Sequence, residues 1–293
     1  MKKTFIHRVK GQIRKAFFAT LITILPKTRF FDRVYNTVLF IVTHKRLPRQ
    51  VFLFNDVLYK LKVTNEILDP LRVFVSDKEF VKLYIASVVG NKYNVPTISV
   101  LRDKTLVHNF SFPPECCIKP THLSGSAIFR KANQEVDLEK IERWFDINFY
   151  NLSREGNYKT LVPKVIIEPL IFSTVKLHDF KFFCYNGVPK LIQVDVDRFI
   201  NHRRKLFDCT WNELNYSFVY KRFNGDINKP QNLDEMLYIA GKLSDKFTFV
   251  RIDMYSDHER VLVGEITNCS ESACAVFMPK KAEALASDLI FCN

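Results

Sequence analysis

The dipeptide Asn186-Gly187 lies between two apolar, β-rich runs, Asp179–Tyr185 and Lys190–Asp197, and it constrains this chain more than any other local feature. Both residues accept positive φ, so a tight turn there closes an antiparallel hairpin. Thr248–Tyr255 and Arg260–Ile266 form a second such pair, with Asp257-His258 in the turn. Further strands are expected around Thr97–Arg102, opened by Pro96, and around Cys117–Lys119, Ala127–Arg130 and Val165–Leu170. Helical spacing marks Asp77–Val89 (Phe80, Tyr84 and Val88 on one face, Gly90 at the end), Leu138–Tyr150, and Leu233–Phe247 with Leu233, Met236, Leu237, Ala240 and Leu243. Residues 50–75 read as a connecting region after a basic hinge, His44–Arg49. This order gives an α+β fold rather than regular βαβ alternation. Only 8 glycines in 293 residues speak against a Gly-rich dinucleotide-binding core, and the length fits one multi-lobed domain or two coupled ones.

The charge is unevenly placed. Of a net +13, residues 1–50 carry 12 Lys or Arg against the single acid Asp32, which leaves +2 for the other 243 residues. A nucleic-acid groove needs basic side chains spread over a folded surface, so no nucleic-acid partner is expected. Within a leader of residues 1–45, Phe5, Val9, Ile13, Phe17, Leu21 and Ile24 recur at three- to four-residue spacing, while Lys2, Lys3, Arg8, Lys10, Arg14 and Lys15 fall mostly off that face. A basic amphipathic helix of this kind suits the headgroup region of an anionic membrane; the plainer reading is a helix packed on the protein's own body. Ala16–Leu25 and Val38–Val42 are too short to span a bilayer, and Ile24-Leu25-Pro26-Lys27 is a poor signal-peptide cleavage site. The cysteines, seven without a Cys-x-x-Cys pair, fit a reduced cytoplasmic setting, and no Cys/His cluster has zinc-ligand spacing.

Four places carry candidate chemistry. Arg251, Asp253 and Tyr255 share one face of their strand, and Val263, Glu265 and Thr267 share a face of its partner. Antiparallel pairing sets Asp253 beside Glu265, where two carboxylates repel unless a cation joins them; Mg²⁺ is the natural one for a hard oxygen site holding phosphates. The plainer alternative is an ion pair with Arg251 on an ordinary hairpin. Lys119 ends a strand before a hydroxyl-rich turn, Ser124-Gly125-Ser126, that presents donors to phosphate oxygens, without Walker A spacing. Glu168, with Pro169 and Leu170, ends the strand begun at Val165; its carboxylate suits ribose hydroxyls and the flanking backbone suits adenine. Asp179 and Lys181 share a face, and Arg198 follows the partner strand; basic groups there would offset charge on a transferring phosphoryl group. An ordinary cross-strand salt-bridge ladder accounts for that last pattern equally well.

The order of these phrases resembles the ATP-grasp superfamily, and more narrowly its TupA-like family, associated with teichuronopeptide and surface-polysaccharide synthesis. Asp77-Lys78 and Lys82, then Ile118-Lys119-Pro120, Ile167-Glu168-Pro169, Asp179-x-Lys181, Arg198, Arg251-x-Asp253 and Glu265-x-Thr267 carry the resemblance over roughly residues 45–285. It implies two α+β lobes whose antiparallel sheets grip ATP, in a domain of residues 46–293 with residues 110–175 as a lid-like part. It implies Lys78 and Lys119 as nucleotide lysines, Glu168 at the ribose, and two magnesium ions on Asp253 and Glu265. Lys181 and Arg198 would face the γ-phosphate, with Arg251 orienting the intermediate. Thr267 stands where many relatives carry Asn, Asn268 follows it, and the stretch Cys269–Cys274 lacks expected glycines.

The implied reaction is ATP-dependent joining of a carboxylate to an amine through an acyl phosphate. The carboxylate would be that of a sugar in a bacterial surface polysaccharide, and the amine an amino acid or amino compound. The expected location is cytoplasmic, with peripheral contact to the inner membrane face. Two other readings stay open: a glycosyltransferase using Asp195-Val196-Asp197 as a metal motif, and a non-catalytic ATP-grasp scaffold.

Overall fold

A computed structural model of the chain describes residues 2–171, 178–197, 201–257 and 259–292. Two helices open it, α1 (Lys2–Ile24) and α2 (Arg29–His44), followed by α3 (Phe54–Val63), α4 (Pro70–Ser76) and α5 (Phe80–Val88). A first group of strands follows: β1 (Ser99–Leu101), β2 (Cys116–Pro120), β3 (Ile128–Arg130) and, after α6 (Leu138–Phe145) and α7 (Tyr150–Ser153), β4 (Val165–Glu168). They form a four-stranded antiparallel sheet in the order β1-β4-β2-β3. Next come β5 (His178–Tyr185), β6 (Val188–Val196), β7 (Arg203–Asp208), β8 (Glu213–Leu214), β9 (Ser217–Phe218), α8 (Leu233–Ser244), β10 (Phe249–Ser256), β11 (Val261–Thr267), β12 (Phe277–Met278) and α9 (Ala282–Phe291). The large sheet has the order β11-β10-β5-β6-β7-β8, antiparallel throughout, and β9 pairs with β12 apart from it.

The hairpin turns fall where expected. Asn186 and Gly187 have φ of 47° and 78°, the left-handed values such a turn requires. Alternation divides the two strand pairs between faces, but each carries a bulge, and the one after Asp253 puts Val263 in the core rather than on the face of Glu265 and Thr267. Phe180, Phe182, Cys184, Ile192, Val194, Phe207, Val250, Ile252 and Met254 are buried in one core with α8 and α5. Toward the other end of the opposite face, Phe183, Leu191, Leu206 and Phe249 meet α3, β12 and α9, where the fully buried Phe54 ring lies 5.5–6.0 Å from four other phenylalanines. The small sheet packs its own core against α6 through Ile141 and Trp144.

Several expectations are corrected. Residues 50–75 are not a connector: α3 and α4 lie there, and Pro70 begins α4 with Asp69 accepting from the Leu71 and Arg72 amides. The helix expected over Leu138–Tyr150 ends at Phe145; the Asn148 side chain then accepts from the Tyr150 amide and restarts the short α7. Strand β7 escaped notice because Arg203-Arg204-Lys205 hides its period-2 signal; Arg204 and Lys205 are buried by pairing with Asp195 and Glu213.

The leader turns between Leu25 and Thr28 to make an antiparallel helix pair, with Arg14 donating to Thr43 and Phe18 against Tyr35. It packs on the body. Arg154, fully buried, donates to the carbonyls of Ile22 (2.6 Å), Leu25 (2.6 Å) and Pro26 (2.9 Å), which α1 leaves unsatisfied at its end. It also meets the buried Asp32 carboxylate at 3.1 Å, which accepts from Tyr150 Oη at 2.7 Å. Among the described residues, no helix is long and apolar enough to cross a membrane.

Removing one partner of a buried ion pair strands the other charge, so Asp32→Ala is expected to cost about 3–5 kcal/mol, seen as a lowered thermal midpoint. Asp32→Asn, which keeps an acceptor, should recover part of the loss. An unchanged midpoint in Asp32→Ala would show that the leader is not anchored through this pair.

Candidate active site

The large sheet concentrates charge on the face opposite its α8 core. Asp253 stands opposite Glu265 on one side and Lys181 on the other, and Lys181 stands opposite Gln193. One row along, Tyr255, Asp179, Asp195 and Arg204 line up across four strands; on the other side Arg251 pairs with Thr267. A bulge follows Asp253, leaving Gly264 as the extra residue on β11. A Cβ there would meet the Tyr255 ring at 2.5 Å, so only glycine fits beneath that ring.

The charges neutralise one another at short range. Arg251 donates two bonds to Asp253, at 2.6 and 2.8 Å, and others to Ser270 Oγ (2.8 Å) and Thr267 Oγ1 (3.1 Å). Thr267 donates to Glu265 Oε1 at 3.1 Å. The Lys181 ammonium bonds Asp179 and reaches Asp253 at 2.9 Å, with Asp195 at 4.0 Å. Burial raises the pKa of the Asp253 carboxyl, but Arg251 and Lys181 outweigh it and hold the group below its ordinary value. Burial likewise works against the charges on Lys181 and Arg251, and their carboxylate neighbours overcome it, so both are raised.

The small sheet supplies a second cluster. Lys119 on β2 pairs with Glu168 at the end of β4, and Lys82 from α5 reaches the same carboxylate at 2.6 Å. Burial alone raises the Glu168 pKa; Lys119 and Lys82 together reverse this and depress it. Lys119 is raised despite burial, whereas burial wins at Lys82, which is lowered, so Lys119 is the stronger partner. Lys78 donates to the Leu123 carbonyl at 2.5 Å and is lowered by burial, with Lys119 adding to it against Glu265. Glu265 therefore acts on both Lys78 and Lys119, which joins the cluster on the small sheet to the row on the large one.

The other expected residues are placed as follows. Ser124, Gly125 and Ser126 form the turn between β2 and β3, the first two exposed, with Gly125 at φ 74°. Leu170 lies half-buried just past β4. Arg198 lies outside the described residues. Asn268, next to Thr267, turns to the other side: its amide bonds the Arg72 carbonyl (2.9 Å) and Ser76 Oγ (3.1 Å), and it accepts from Arg72 at 3.0 Å. Thr267 thus remains the residue beside Glu265 on the charged face. Asp195 is held by Arg204 at 2.8 Å and by Gln193 at 3.0 Å. Its partners hold its pKa down against burial.

Local pattern gave no sign of the residues that hold the segment after β11. Glu271, Ser272 and Ala273 have φ of 51°, 56° and 59°, the left-handed values that glycine adopts without cost. Side chains distant in sequence fix this turn: Arg251 on Ser270, Arg204 on Glu271 (3.2 Å), Lys62 and Glu155 on Ser272 (2.7 Å for the latter), and His44 against the Ala273 carbonyl at 2.9 Å. Asp77, Thr121 and Lys164 form another such set: Thr121 donates to Asp77 at 3.1 Å, and Lys164 pairs with Asp77 and Glu79.

The donor set fits magnesium in kind. Asp253 and Glu265 are hard oxygen ligands from neighbouring strands, and Mg²⁺ takes few protein carboxylates, leaving its other positions to waters and phosphates. Among the described residues no group of three or more His, Cys, Asp or Glu gathers to form an all-protein cage.

The sequence model described as TupA-like ATPgrasp matches residues 58–291. No curated protein matches the chain. Similar solved structures include the D-alanine–D-alanine ligase of Helicobacter pylori (16% identity, TM-score 0.39, covering 69% of this chain and 53% of that one). The D-alanine–D-alanine ligase of Bacillus anthracis is another (15%, 0.41, 74% and 65%), as is the D-cycloserine synthetase DcsG (17%, 0.38, 75% and 72%). The chain thus spans about half to two thirds of the two D-alanine–D-alanine ligases.

A depressed carboxylate stabilises the fold above its unfolded value, about 4.3 for Glu, and that contribution is lost as pH falls through the folded value. Glu168→Gln is therefore expected to unfold at lower urea than wild type at neutral pH, with the gap closing as pH falls below about 4. A gap that stays constant across pH would show that the Lys119–Glu168 charge does not hold this corner.

Proposed function

The chain belongs to the TupA-like ATP-grasp family, and from that membership we propose that it is an ATP-dependent ligase joining a carboxylate to an amine through an acyl phosphate. The observation that carries the reading is the meeting of two charge sets. Glu265, which pairs with Asp253 beside Lys181 and Arg251, acts electrostatically on Lys78 and Lys119, whose neighbour is Glu168. That arrangement suits a nucleotide whose phosphates lie over the large sheet and whose ribose meets Glu168.

In this reading a substrate carboxylate oxygen attacks the γ-phosphorus of ATP, and ADP leaves. Lys119 and Lys181 offset charge spread over the transferring group, and Arg251 orients the acyl phosphate. An amine then attacks the acyl carbon and phosphate departs. Asp253 and Glu265, with Thr267 beside them, would hold Mg²⁺, which would supply charge neutralisation to the phosphates; two ions match the family pattern. The Ser124–Ser126 turn covers the phosphates and limits hydrolysis of the intermediate. The family pattern gives Arg198, outside the described residues, the role of a further cation for the γ-phosphate. The leader, anchored by the Asp32–Arg154 pair, would meet the inner membrane face, where a sugar carboxylate of a surface polysaccharide would be joined to an amino acid or amino compound.

The test is ADP release by the purified chain with Mg-ATP, uronic-acid glycans and common amino acids, followed by mass detection of amides. Glu265→Gln should lower turnover by about 10²-fold or more, the scale for losing charge stabilisation at a reacting phosphate. A condensed product that persists in the variant would overturn the role of Glu265. ADP formed under no mixture would remove the ligase, and nucleotide bound without turnover would favour a scaffold.

A further inference from the structure

The leader has two sides, and only one is used by the fold. Phe18, Asp32, Tyr35, Asn36 and Phe40 are buried toward the body. On α1, Ile13, Phe17 and Ile24 are 63%, 50% and 72% exposed. At 3.6 residues per turn these three fall within about 40° of one another around the helix axis, so they form one stripe. Phe18 lies about 100° beyond Phe17 and holds α1 to Tyr35. Of the described basic residues of α1, Arg14 lies about 60° from Phe17 on the side facing α2 and Lys15 on the far side of the helix from the stripe, while exposed Lys27 follows the helix end.

The antiparallel contact of Arg14 with Thr43 fixes where the rest of α1 goes. Its preceding turns continue beyond Thr43, and residues 45–52 follow the end of α2. There Leu47 and Phe52 are 67% and 62% exposed, beside exposed Lys45 and Arg49. Residues 1–50 as a whole carry a net +11 of the chain's +13.

We propose that the outer stripe of α1, with the basic residues of the leader, docks on the surface of an anionic lipid bilayer. Charge decides the occupant. A second copy would set one 1–50 segment of net +11 against another, whereas an anionic surface neutralises it and accepts the apolar side chains among its headgroups. The helix lies on the membrane and does not cross it, in keeping with its length and polarity. This deepens the membrane-face reading of the leader and is independent of the ligase chemistry.

The experiment is cosedimentation of the full chain with phosphatidylcholine vesicles, with and without phosphatidylglycerol, at low and high salt. Ile13→Ser/Phe17→Ser/Ile24→Ser removes the stripe from exposed positions and leaves the inward face intact. Wild type should bind only the phosphatidylglycerol vesicles and come off in salt, and the triple variant should bind about tenfold more weakly or less. ADP release with soluble substrates and the thermal midpoint, read on the same samples, should not change. These readouts separate failure of docking from failure of the ligase reading. Equal binding to both vesicle types, wild-type binding by the triple variant, or lipid-independent dimerisation abolished in the variant would each overturn the proposal.

Discussion

The carboxylate of Asp253, gripped by Arg251 from its own strand and by Lys181 from the next, is the contact around which the molecule is arranged. A buried carboxylate persists as a charge only when cations and hydrogen-bond donors surround it. Here β10 pairs in register with β11 and with β5, and the same register packs Ile252 and Phe182 into the α8 core on the reverse face. A slip of one residue would exchange the two faces, driving Asp253 into the core and Ile252 onto the charged row. The hydrophobic core thus specifies the charged row as firmly as the charges do.

That row is connected to the rest of the chain through short side-chain bridges. Arg154 and Glu155 are neighbours with opposite duties. Arg154 holds the end of the leader's first helix, while Glu155 holds Ser272, two residues from the Ser270 that receives Arg251. His44, at the end of the second leader helix, reaches the Ala273 carbonyl in the same turn. The leader is therefore part of the scaffold that shapes the segment after Glu265, even as its outer side stays exposed. Three consecutive left-handed residues in that segment cost roughly 1–2 kcal/mol each relative to ordinary backbone, and the surrounding bridges hold them there.

The legible part of the fold was the part governed by local chemistry. Asn186-Gly187 announced its hairpin because few residues accept that backbone, and alternation along the β5, β6, β10 and β11 segments separated core from charged side chains. The pairing of Asp253 with Glu265 was expected from the hairpin, but its register comes from the bulge at Gly264, which puts Val263 in the α8 core and Glu265 on the charged face. Strand β7 was hidden by Arg204 and Lys205, whose burial depends on acids from other strands that no local window contains. Helices α3 and α4 were missed because their buried polar residues, Asn55, Asp56, Lys62 and Arg72, break the apolar stripe that periodicity seeks.

The sequence by itself determined the α+β class, the hairpins, the charged face of the last strand pair, and the family to which those phrases belong. Those features rest on backbone preferences and side-chain period, which act over a few residues. The tertiary structure decided that Glu168 is taken by two lysines, that Thr267 rather than Asn268 stands beside Glu265, that Asp195 is spent on Arg204, and that the leader is anchored by Arg154. Each of these is a choice of partner between residues far apart in the chain. Burial and charge balance make that choice only once both sheets and their covering helices have come together.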